Sequence, residues 1–174
     1  MANDSGWQDI LDSDEKILWQ GRPDGKVAWK IGHFFTILFG FVFAGFALFW
    51  MIMASQAGGG FWMFGLIHFF AGIAIAFGPP FWSAWTRRHT WYTLTDRRAF
   101  IATDVPMRGR KLKSYPIDSS TKITHEAGAP GSIFFASEYR RGKNSSYEVP
   151  IGFERINDDQ AVARQIRDVQ RKAS

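Results

Sequence analysis

The sequence predicts an α+β membrane protein: a two-helix transmembrane hairpin, then a cytoplasmic antiparallel β barrel or sandwich capped by a C-terminal helix. Three observations predict it. Residues 31–86 form a run of 56 positions without Asp, Glu, Lys or Arg, in a chain that is 21% charged. After Arg88, short strand-like runs alternate with turn residues. After Asn157, apolar positions recur at helical spacing.

The apolar run divides at Gln56-Ala57-Gly58-Gly59-Gly60 into segments of about 31–55 and 61–85. Each is long enough as a helix to cross a hydrocarbon layer of roughly 30 Å. The first holds thirteen Ile, Leu, Phe or Val residues, each favouring insertion by roughly 0.3 to 0.6 kcal/mol at mid-membrane. A soluble chain of 174 residues has too little polar surface to cover two such helices. Arg22, Lys26 and Lys30 precede the first helix, Arg87 and Arg88 follow the second, and the connection carries no charge. Both ends are therefore expected on the cytoplasmic side. The first thirty residues are polar and acidic, unlike a cleavable signal peptide. Trp29, Trp62, Trp82, Trp85 and Trp91 fall near the helix ends, where indoles favour the membrane interface. Gly40 and Ala44 on the first helix, with Gly72 and Ala76 or Ala74 and Gly78 on the second, stand four apart and permit close approach. Pro79-Pro80 should end or kink the second helix, leaving 81–85 as an interfacial elbow.

In residues 87–174, Thr90, Tyr92 and Leu94 fall on one face of a strand over 89–95, Asp96-Arg97 suits a tight turn, and 98–103 reads as the returning strand. Further strands are expected at 112–117, 121–126, 132–139 and 146–151, separated by turns around Pro106, Gly128 and Gly142. Ile156, Ala163, Ile166 and Val169 then mark a helix over about 155–172. Upstream, Ile17 and Trp19 alternate with polar neighbours, so a strand within 15–22 could pair with this sheet.

The absence of cysteine excludes disulfides, thiolate metal sites and cysteine nucleophiles. No Gly-rich phosphate loop, Gly-x-Ser-x-Gly or His-Glu-x-x-His run occurs, so no enzyme activity, metal or cofactor is expected. His33 and His68 lie in the apolar run, but at ~1.5 Å per residue they sit at depths about 15 Å apart, which disfavours a shared haem. His68 reads instead as a helix-contact or partner-facing residue. The net charge of +5 conceals −2 over residues 1–30 and +7 over 87–174. Two basic clusters carry much of the latter: Arg108, Arg110, Lys111 and Lys113 in an expected loop, and Arg140, Arg141 and Lys143 at an expected hairpin tip. They could bind headgroup phosphates or an acidic protein, or serve only as solvated turns. Exposed aromatics do not interleave with them, so nucleic acid is not an expected partner.

Residues 14–23, Asp-Glu-Lys-Ile-Leu-Trp-Gln-Gly-Arg-Pro, together with Trp91-Tyr-Thr-Leu-Thr-Asp-Arg-Arg98 and Tyr115-Pro-Ile117, resemble the bacterial pleckstrin-homology (PH) domain membrane proteins. The resemblance covers most of the chain. It implies a PH-like domain behind two transmembrane helices in the bacterial inner membrane, without enzymatic activity. It further implies a binding module that serves a larger membrane-protein complex as accessory or assembly factor. The alternatives are an anionic-lipid sensor using the basic loops and, more remotely, an intramembrane haem or redox protein.

Overall fold

The computed structural model describes residue 7 and residues 9–29, 31–106, 108–142 and 145–173. The chain forms two compact units: Gly25–Trp85, and a second built from the chain on either side of it.

In the first unit, 3₁₀ turns at Ile31–His33 and Phe61–Met63 lead into helices α1 (Phe34–Gln56) and α2 (Phe64–Arg88). Both are long and apolar enough to cross a membrane. The chain reverses through Gly58 and Gly59, whose φ values of 78° and 77° lie in the left-handed region that glycine adopts without a Cβ clash. The helices then run antiparallel with their backbones nearly touching. A Cβ on Gly40 would stand 2.6 Å from the Ala76 nitrogen, and one on Gly72 would stand 2.7 Å from the Ala44 nitrogen. Gly40, Ala44, Gly72 and Ala76 thus form the contact, while Ala74 is exposed and Gly78 faces open space. The expected stop at Pro79-Pro80 does not occur, and 81–85 is helical rather than an elbow. Proline's fixed φ of about −65° is itself helical, and α2 runs on through both prolines without the two N–H donors they lack. Pro80 is fully buried.

In the second unit, β1 (Ile17–Gly21), β2 (Thr90–Thr95), β3 (Arg98–Val105) and β4 (Gly109–Pro116) form an antiparallel sheet in chain order. A second antiparallel sheet holds β5 (Thr124–Glu126), β6 (Gly131–Arg141) and β7 (Ser146–Ile156), and α3 (Asp159–Lys172) follows. The core joins Tyr92, Leu94 and Ala99 of the first sheet to Ile133, Phe135 and Phe153 of the second, closed by Val162, Ala163, Ile166 and Val169 of α3. Those α3 positions follow the helical repeat of an amphipathic face. The helix begins later than its sequence pattern suggests, because Ile156 is the last core residue of β7, paired with Gly131, and not the first of the helix. Likewise β5 is shorter than expected, while β4, β6 and β7 are longer.

Strand β2 is covered on both faces. Tyr92 and Leu94 point into the core, yet Thr93 and Thr95 are also buried. The chain ahead of β1 covers the outer face: the Trp7 ring meets Phe100 edge-on at 5.3 Å, and Glu15 reaches under Thr95.

Candidate functional site

Two stretches about eighty residues apart meet at the β2–β3 turn. The Glu15 side chain is fully enclosed and accepts bonds from the Arg98 guanidinium at 2.6, 3.0 and 3.1 Å, and from the Thr95 hydroxyl at 2.6 Å. Backbone N–H of Lys16 donates to the Asp96 carboxylate at 3.0 Å, and N–H of Asp96 donates to Lys16 O at 3.1 Å. Asp12 adds ion pairs to Arg97 and Arg98 at 3.4 and 3.2 Å. Burial alone would push the Glu15 carboxyl up, but Arg98, Thr95 and the Asp12 N–H together hold it below the usual carboxylate range. Further along, Arg22 stacks over Trp91 at 4.6 Å and the Trp19 indole donates to Asp158 at 2.5 Å. All this fastens the chain ahead of the helices to the sheet behind them.

The basic residues lie elsewhere on the same unit. Arg108 occupies the β3–β4 turn, but Arg110, Lys111 and Lys113 belong to strand β4 and not to a loop. The turn is tighter than the sequence suggests because Gly109, at φ 73°, reverses the chain and lets β4 pair with β3 along its whole length. Arg140 and Arg141 are the last residues of β6, and Lys143 falls outside the described residues. Glu138 brings the two runs together. Its carboxylate accepts from Lys113 Nζ at 2.5 and 2.8 Å and from the Tyr115 hydroxyl at 2.7 Å, so it ties β4 of one sheet to β6 of the other. The Lys113 ammonium, and then the Tyr115 hydroxyl, hold the Glu138 carboxyl below its ordinary range. Burial, and then the neighbouring Glu138, push the Tyr115 phenol up.

Beyond this bridge, β4 and the β6–β7 hairpin extend past the core with their side chains in solvent. Arg110 pairs with Asp104 at 3.0 Å but is 89% exposed, so the pair contributes little and leaves the guanidinium accessible. Tyr139 is 76% exposed, Tyr147 54% and Leu112 43%. Tyr147 stands directly across the hairpin from Arg140. The sequence suggested that no exposed aromatics accompany the cations; Tyr139 and Tyr147 beside Arg140 correct that. The two-residue alternation of β6 and β7, carried past the last core position, was the signal that could have found the two tyrosines.

The histidines do other work. His125 Nε2 lies 2.7 Å from the buried Asp159 carboxylate and joins β5 to the start of α3. His125 holds the Asp159 carboxyl below its ordinary range. His68 Nδ1 is 3.3 Å from Phe64 O, beside an apolar groove of about 220 Å³ lined by Phe43, Phe46, Trp50 and Phe64. Among the described residues, no three His, Asp or Glu side chains gather in a metal-ligating group. No family model matches this chain, and neither a curated protein nor a solved structure matches it.

Proposed function

We propose that the chain is a membrane-anchored, non-enzymatic PH-like binding module. In this reading it serves a larger inner-membrane protein complex as accessory or assembly factor, with both termini cytoplasmic. Membrane anchoring is supported by the bareness of the helices: within their most apolar windows only 22% and 17% of residues are buried. Phe35, Phe46, Phe61 and Ile67 are each more than three-fifths exposed, a surface that water does not tolerate at this extent. The PH-like reading is supported by the four-stranded and three-stranded antiparallel sheets with one C-terminal helix.

A protein partner is favoured over a lipid headgroup by one observation. The exposed end of the β6–β7 hairpin carries Arg140 beside Tyr147 on one face and Tyr139 with Arg141 on the other, all bare. Exposed tyrosine beside arginine is the composition of a protein interface. The test is gentle extraction of the tagged chain from its native membranes, beside the variant Arg140→Glu/Arg141→Glu. A stoichiometric membrane complex with the wild-type chain and its loss with the variant support the reading. Colourless protein alone, with anionic lipid retained until Arg108, Arg110 and Lys111 are replaced, overturns it in favour of the lipid sensor. A haem spectrum on the same sample overturns it in favour of a redox protein.

A further inference from the structure

We propose that the outer ridge of α3 holds a phosphate-binding site, made by Arg164, Arg167 and Arg171 with Ser119, for a ligand bearing a phosphate monoester. The three arginines are spaced by three and four residues and so share one ridge of the helix. Together with Ser119, Asp168 and Gln170 they line an open concavity of about 620 Å³. Arg171 pairs with Asp168, whereas Arg164 and Arg167 have no hydrogen-bond or ion-pair partner among the described residues. Like charges at this spacing repel and destabilise a helix. A bound anion would remove that cost.

The opposite wall is fixed in place. Asp118 Oδ1 accepts from the Ser120 N–H at 2.9 Å and from the Ser120 and Thr121 hydroxyls at 2.7 and 3.0 Å. Gln170 Nε2 reaches from α3 to donate to Asp118 O at 3.1 Å and Thr121 O at 2.8 Å. These bonds fix the turn and hold the Asp118 carboxyl below its ordinary range, and Ser119 at its tip lines the concavity. Among the lining residues, three guanidinium groups less the Asp168 carboxylate leave a charge of +2, reduced by the Asp118 carboxylate beside Ser119. A phosphate monoester at neutral pH carries roughly −1.5 to −2, with three acceptor oxygens suited to guanidinium forks. A lipid headgroup or a soluble phosphate could present that chemistry.

The test follows ³¹P NMR line broadening with the full chain in neutral detergent at about 100 mM salt, a strength that screens loose surface charge. The probes are dihexanoyl phosphatidic acid and glycerol 3-phosphate, taken separately. Saturable binding of either probe is expected, weakened at least about tenfold by Arg164→Gln/Arg167→Gln and unchanged by Lys16→Gln, which removes an exposed cation elsewhere. Binding of the phosphatidic acid alone identifies a lipid source, and binding of glycerol 3-phosphate alone a soluble one. Ser119→Glu, which places a carboxylate in the concavity and leaves the helix intact, gives the same loss should the double variant fail to fold. No saturable binding of either probe, or binding indifferent to both the arginine and serine changes, overturns the proposal.

Discussion

At the scale of single residues, Glu15 matters most, because its carboxylate is fully enclosed and its partners come from a different part of the chain. Removing one member of such a pair strands the other without water. Arg98 is about a quarter exposed, which tempers the effect. Glu15→Gln is therefore expected to destabilise the β unit by about 1 to 2 kcal/mol, read as a lowered thermal midpoint of the full chain in detergent. The pH dependence has a definite sign. Glu15, Glu138 and Asp159 all have folded-state pKa values below their ordinary values of 4.5, 4.5 and 3.8. Below those values the unfolded chain takes up protons that the folded chain refuses, so the stability present at neutral pH is lost as the pH falls further. The midpoint should thus fall between about pH 5 and pH 3, and fall less steeply in Glu15→Gln, which has one fewer titrating group. An equally steep fall in the variant would show that Glu15 is not a source of the acid sensitivity.

At the scale of elements, the small residues of the helix pair separate into those that touch and those that do not. Gly72→Leu forces a side chain into the Ala44 backbone and should open the pair, lowering the SDS concentration at which the helices separate. Gly78→Ala meets nothing within 4 Å and should leave stability unchanged or raise it by up to about 1 kcal/mol, since alanine is the better helix former. Equal losses in both variants would refute this contact. The sequence displayed these elements unevenly, for physical reasons. Uninterrupted apolarity marks α1 and α2, and an amphipathic repeat marks α3, because each signal extends over three or more turns. Strand ends were harder to read: a turn such as Gly109 is set by one backbone angle, and the last residues of β7 carry the same apolar residue types as a helix start. The two-proline helix was illegible because proline's cost depends on what the lost donors would have bonded. Of the candidate site, the cations were visible as composition. Their meeting through Glu138 was not, since it depends on how two sheets pack.

At the scale of the whole molecule, the absence of cysteine offers a clean test of topology. Single cysteines at Ala57, whose φ of −75° tolerates a side chain, and at Ser119 in the β unit should react oppositely with a membrane-impermeant maleimide. Intact spheroplasts should label only the first, and inverted vesicles only the second. Labelling of both sites from one side would refute a hairpin with two cytoplasmic ends. The same layout sets an order of events during synthesis. Strand β1 ends at Gly21 and its partner β2 begins at Thr90, with both long helices between them. At about 5 to 20 residues per second, the ribosome leaves β1 without its neighbour for several seconds. Both helices emerge and can enter the bilayer during that interval. The sheet is completed only after both long helices have been made, so a chain whose synthesis stops early carries an orphan strand, with Ile17 and Trp19 unprotected, as a mark of its incompleteness.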